Sequence, residues 1–378
     1  MAEVWRWWPQ SVQETLEFET DVRMARSAEW RDSLKDATQF FTLSHILPVA
    51  QAEAMIETVR ANGIGEWLVP EWPNATIAAA SLSLAATVLP VAVPAAYVVG
   101  QAVFIGVGPE AWEQGEVASV GVSDITLAAG LGAAYTGSAS RPLVMAPLVR
   151  CIAPGGVDFQ STFSAQGLSA RFMALDPKDL AANPYPTHSS LPVVTDGRVP
   201  FQPLAGGLNQ AADLFSSGFG AYSLQQAETY PRRRGTISWY DKGHSDRWTR
   251  RSFLHQLRGR DGAFWLPTGQ RDLPLAAAID SADLTITVAP CASNADMVGR
   301  RIVIKEGSNL VIREVAAAAD DGDNQELSIA STGVDFTSSA IVSLGIKSRL
   351  DSDQVEISYQ FAAGGLAAFC AVPVIEVP

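Results

Sequence analysis

The densest group of chemically capable side chains is Asp320-Asp-Gly-Asp-Asn-Gln-Glu326, where hard oxygen ligands crowd as they do around calcium. The run lacks calcium-loop spacing. The matching stretch near Gly121-Val-Ser-Asp124 holds a single acid, so a solvated hairpin tip is the expectation. The four histidines, His45, His188, His244 and His255, have no metal-ligand spacing, and His188 and His244 are expected in loops. Gly130-Leu-Gly132 followed by Gly137 lacks the Lys-Ser/Thr of a phosphate loop and reads as a turn. No nucleophile elbow occurs, and no facing carboxylate pair suggests glycan hydrolysis. Cys151, Cys291 and Cys370 are odd in number and lack C-x-x-C spacing, so they are expected as buried small hydrophobes. The expectation is a protein that is not an enzyme and has no cofactor.

Charge is the other chemical feature. The net charge is −13, a poor basis for binding nucleic-acid phosphates but a suitable one for a wall that repels them. Glu14, Glu17, Glu19, Asp21, Glu29, Asp32 and Asp36 should give the first hairpin an acidic face, with Glu17, Glu19 and Asp21 the candidates for lining a DNA channel. Against this background, Arg232-Arg-Arg234 and then Arg247, Arg250 and Arg251 form a local basic region. Arg232, Arg233, Arg234 and Arg247 are candidates for inter-subunit ion pairs.

These residues sit on elements that the patterning predicts. The chain has 378 residues, more than one ordinary core holds, and 30 Gly with 22 Pro favour short strands. Leu16, Phe18, Thr20, Val22 and Met24 alternate with Glu17, Glu19, Asp21 and Arg23, the period of a half-buried strand. A second strand over 30–47 follows. Pro48 starts a helix over 48–61 that Asn62-Gly63 ends, and a strand over 65–69 comes next. Further on, strands are expected over 222–230 and 235–240, then a helix capped by Ser245 and stopped at Asp261-Gly262, then a strand over 264–266.

That order occurs twice because the sequence repeats. Trp67-Leu-Val-Pro and the Ala-Ala-Ala ending at Ala80 match Trp265-Leu-Pro-Thr and the Ala-Ala-Ala ending at Ala278. Leu82–Pro90 resembles 282–290, Val99–Gly108 resembles 298–307, and the run from Asp158 resembles that from Asp353. The uncharged stretch 72–109 is long enough to span a membrane. Its sister carries Asp280, Asp283, Arg300, Arg301 and Lys305, so buried strands are expected instead. The N-terminal run Met1–Pro9 has no signal-peptide pattern, and no membrane contact is expected.

The expectation is a mainly β chain, with helix as a minor component, of two tandem modules. Each has a hairpin–helix–strand barrel unit (10–75 and 218–275) and a small β-sandwich or barrel (76–176 and 276–378), joined by a linker over 177–217.

Gln13-Glu-Thr-Leu-Glu-Phe-Glu-Thr-Asp-Val22 and Gly262-Ala-Phe-Trp-Leu-Pro267 after a short helix resemble the distal tail proteins of siphophages and gene transfer agents. The likeness covers about a third of the chain. It implies a tail-tube-like ring at the phage tail tip, in the virion, assembled in the host cytoplasm. Its partners would be further copies of itself, the tail tube protein, hub and baseplate proteins, and DNA passing through without specific binding. The duplication departs from the usual single unit. A ring of six chains is favoured, with a trimeric hub of three chains as the alternative. A receptor- or carbohydrate-binding tail-tip module, using Trp112 and Trp239, is the rival reading.

Overall fold

A computed structural model describes every residue except 1, 26–27, 64, 79, 139, 162–164, 177–179, 181–182, 196–205, 210–211, 217–221, 227–230, 363–364 and 378. The first half opens with a long hairpin, β1 (Ser11–Ala25) and β2 (Ala28–Pro48). Val12, Glu14, Leu16, Phe18 and Thr20 are buried on one face, as the alternation requires. The chain turns at Pro48 into α1 (Val49–Asn62). Gly63 ends α1 at φ 55, in the left-handed region that glycine tolerates, and its N–H donates to Val59 O. Strand β3 (Trp67–Pro70) follows, then the β4–β5 hairpin (Ala102–Gly108 and Ala111–Val120). Strand β6 (Leu143–Ile152) serves two sheets, pairing with β4 through its first half and β3 through its second. The hairpin of β7 (Val157–Ser161) and β8 (Ala165–Ala174) then lays β8 along β2.

The second half runs through β9 (Gly206–Asn209), β10 (Arg232–Asp241), α2 (His244–Leu257) and β11 (Ala263–Pro267). Then come β12 (Arg301–Glu306), β13 (Asn309–Glu314), β14 (Ile341–Leu350), β15 (Gln354–Ala362) and β16 (Gly365–Glu376). Here β14 pairs with both β12 and β11, and the β15–β16 hairpin lays β16 along β10. The halves meet where β1 pairs with β15, from Ser11 opposite Gln360 to Glu17 opposite Gln354. Eight strands thus run side by side, all antiparallel, in the order β7–β8–β2–β1–β15–β16–β10–β9.

The protein is therefore mainly β, with large antiparallel sheets. One apolar cluster spans both halves and includes Trp5, Trp67, Phe172, Trp239, Phe253 and Tyr359. Its aromatic rings meet edge to face, with Trp5 5.4 Å from Trp67 and 4.8 Å from Phe172. Two separate clusters fill the intervening β regions, one built around Ile105, Ile125 and Met145, the other around Ile286, Ile302 and Val342.

The uncharged stretch 72–109 is broken into short strands and 3-10 turns, and among the described residues no helix is long and apolar enough to cross a membrane. The second helix begins two residues earlier than its sequence suggests, with Gly243 rather than Ser245 at the cap position. The expected linker contains structure. Tyr185, Val193 and Val194 are buried, Val194 N–H donates to Trp265 O at 3.0 Å, and 206–209 is a strand. Of the strand expected over 222–230, Tyr222–Gln226 forms, and 227–230 lie outside the described residues.

Candidate functional site

The first candidate is a charged cluster at the seam between the halves. Strand β1 points Glu14 inward, the end of β3 supplies Glu71, and one face of α2 supplies Arg251 and His255. Arg251 donates to Glu14 from Nε at 2.8 Å and from Nη2 at 2.6 Å, and Nη2 also reaches Glu71 at 2.9 Å. Gln39 donates to Glu14 at 2.6 Å and the Tyr359 hydroxyl at 2.8 Å, while His255 stands 4.0 Å away. Burial pushes the Glu14 carboxyl up. Arg251 and His255 outweigh it and hold Glu14 well below the usual carboxylate range. The side chains of Glu14, Glu71 and Arg251 are all closed off from solvent. These enclosed groups link helix α2 to strand β1 and to Glu71, and their closure leaves no opening through which a substrate would reach them.

A second cluster ties the turn end of the β1–β2 hairpin to the other half. Glu29 accepts from Arg232 Nη1 at 2.6 Å and from Arg349 Nε at 2.6 Å. Burial raises the Glu29 carboxyl, and hydrogen bonds from Arg349 and Arg232 bring it below its ordinary value. Glu14 and Glu29 are therefore internal, not part of an acidic surface. Asp32 is exposed, and the Asp36 side chain lies outside the description.

Glu17 lies on the polar side of the eight-strand run, 3.1 Å from Arg171. Glu356, on the neighbouring β15, and Asp158, on the outer strand β7, are exposed on the same side. Glu19 and Asp21 lie further along the hairpin, past the last β1–β15 pair. Glu19 is exposed, and Asp21 pairs with Arg23 at 2.7 Å. Arg233 and Arg234 are exposed, whereas Arg232 is buried. Arg247 is buried too, donating to Lys242 O at 3.1 Å and to Leu366 O, with Nη2 2.7 Å from His244 Nδ1. Arg250 lies over the Trp239 ring and donates to the Tyr185 hydroxyl at 2.6 Å. Arg232 and Arg247 are thus buried against partners within the chain, whereas Arg233 and Arg234 are exposed, Arg234 with Asp351 3.9 Å away.

The remaining candidates are dispersed. Trp239 is buried, and Trp112 stacks on Phe104 at 5.8 Å. Asp320–Glu326 is a hairpin tip, with Asp321 opposite Asn324. Among the described residues, no three His, Cys, Asp or Glu are grouped to hold a metal. Cys151 and Cys370 are buried, and burial pushes the Cys370 thiol up to about 12. Cys291 is exposed, contrary to expectation. His188 is in the two-residue strand Thr187–His188, and His244 opens α2. His45 is buried 3.0 Å from Trp8 O, and burial lowers it to about 4.

The sequence reading missed the two ends of the eight-strand run. Among the described residues, β7 pairs with β8 alone and β9 with β10 alone. Each open strand carries a large exposed apolar residue, Phe159 at 60% and Leu208 at 65% exposure. Such an edge is a template for another strand. No known protein family matches the chain, and no curated protein matches its sequence.

Proposed function

We propose that the chain is a structural, ring-forming component of a phage-like tail tip, built from two copies of one unit. The observation that carries this reading is the repeated connectivity across the sheet. A hairpin leads into a helix, the helix into a short strand, and that strand pairs with a long one that also pairs with the first strand of a further hairpin. A last hairpin then returns to flank the first. Both halves follow this order, each with its own satellite β cluster. The units take the bounds 10–75 with 76–176, and 218–275 with 276–378, separated by 177–217.

The units lie side by side in one sheet, joined by β1 and β15. This favours one layer with two units per chain, so three chains supply six units; six chains in two layers would require the units to be stacked. Such a ring would sit in the virion between the tail tube protein and the hub or baseplate proteins. Its polar sheet face, with Glu17, Asp158 and Glu356, would border the DNA path, and acidic groups there would let phosphate slide without binding.

Mass photometry and negative-stain images of the purified chain test the ring. Closed particles with an open lumen are expected, and a compact monomer both alone and with tail tubes overturns the reading. Reversing Glu17, Glu19 and Asp21 to Lys should slow DNA ejection from otherwise intact particles. Normal ejection would remove these residues from the channel.

A further inference from the structure

The seam within the chain describes a second seam between chains. Two rows of residues across the sheet set the correspondence. Phe159 faces Leu168, which faces His45, four residues before α1. Ile357 faces Cys370, which faces Trp239, five residues before α2. Phe159 thus occupies the place of Ile357, and Val157 that of Val355. On the other side, Leu16 faces Gln39, ten residues before α1, and Leu208 faces Arg233, eleven residues before α2. Leu208 thus occupies the place of Leu16.

At the internal seam Leu16 faces Val355, and Ile357 faces Glu14. Leu16 is 0% exposed, and Val355 and Ile357 are each 1% exposed. Their counterparts Leu208 and Phe159 stand in solvent at opposite ends of the same sheet. An apolar residue hidden at one seam and bare at the matching edge marks a contact that the single chain leaves unmade.

We infer that β9 of one chain pairs, antiparallel, with β7 of a second copy, Leu208 opposite Val157 and Gly206 opposite Phe159. The inference rests on the reading of the chain as two copies of one unit. Gly206 stands where Glu14 stands at the internal seam, and with no side chain it leaves room for the Phe159 ring. The edges differ from each other, so the contact is head-to-tail and closes only as a ring. The helices agree with this. Arg251 of α2 is covered by the first half, and its counterpart on α1, Ile56, is only half-buried. A neighbour's second unit would cover it.

Disulfide trapping tests the register. With Cys291→Ser removing the exposed thiol, Leu208→Cys plus Val157→Cys should link chains under mild oxidation. The ladder on a non-reducing gel should end at the ring size. Leu208→Cys plus Phe159→Cys, two residues out of register, should link at least about tenfold less. Equal linking by both pairs overturns the register. Rings seen by mass photometry without linking overturn the edge pairing but leave the ring reading standing, whereas monomers without linking overturn both. As a second check, Leu208→Lys with Phe159→Lys alters only exposed side chains. It should keep the far-ultraviolet circular dichroism of the parent and lose the ring. Rings that survive this change count against the inference.

Discussion

The two helices are both fourteen residues long, and each follows a strand of the central sheet, yet their surroundings differ. Helix α1 buries Ala52 and Met55 only. Helix α2 buries eight residues, among them Arg247, Arg250 and Arg251. The more charged helix is the more enclosed one. Burial here is set by what lies against the helix, not by its own apolar stripe. The first half of the chain lies against α2, and each buried guanidinium then needs a partner: Glu14 and Glu71 for Arg251, Asp241 and Tyr185 for Arg250. Among the described residues no such body encloses α1, whose remaining side chains are at least partly open to solvent.

The largest test of this contrast is Arg251→Ala, which strands two buried carboxylates. It should cost about 3–5 kcal/mol in urea unfolding. Arg60→Ala in α1, whose exposed partner Glu57 is 2.5 Å away, should cost less than about 0.5 kcal/mol. Equal losses would show that the seam cluster does not hold the halves together.

A smaller effect separates the corresponding positions His45 and Trp239. Burial lowers His45 from 6.5 to about 4. Between those values the unfolded chain binds a proton that the folded chain does not. Stability is therefore full above pH 6.5, falls as pH drops to about 4, and then levels off, a loss of about 3 kcal/mol. His45→Gln should flatten this part of the pH profile. Trp239→Phe should lower stability equally at every pH. A profile unchanged by His45→Gln would assign the acid sensitivity elsewhere.

The third test lies within the arginine run. Arg232→Ala removes one of the two guanidinium groups that hydrogen-bond to Glu29, leaving Arg349 and the more distant Arg31, and should cost about 2 kcal/mol. Its exposed neighbour Arg233→Ala should stay within about 0.5 kcal/mol. Denaturant midpoints of the two variants give the comparison directly.

Local signals reached the local structure. The alternation from Leu16 to Thr20 located β1, Pro48 and Asn62-Gly63 bracketed α1, and the Asp320–Glu326 run is the hairpin tip it suggested. Long-range pairing was out of reach. Glu14 is in phase with Leu16 and Phe18 on the face that the alternation buries, but its type reads as a surface acid, and the partner that satisfies it there, Arg251, lies 237 residues later. Arg232 reads as a free surface charge until Glu29 is brought to it. The edge β9 was hidden because Gly206-Gly-Leu-Asn209 has the composition of a linker. Its strand character comes from β10 beside it.

The β1–β15 seam also sets a timetable. Glu14 and Tyr359, which hydrogen-bond across it, are 345 residues apart in the chain. At a synthesis rate of about 5–20 residues per second, the first strand waits roughly 20–70 s for its neighbour to leave the ribosome. Throughout that interval, the edge of β1 from Ser11 to Glu17 lacks the strand that pairs with it in the finished protein. Early assembly is therefore a race between completing the chain and pairing with the wrong strand, and anything that shields β1 during translation should raise the yield of folded protein.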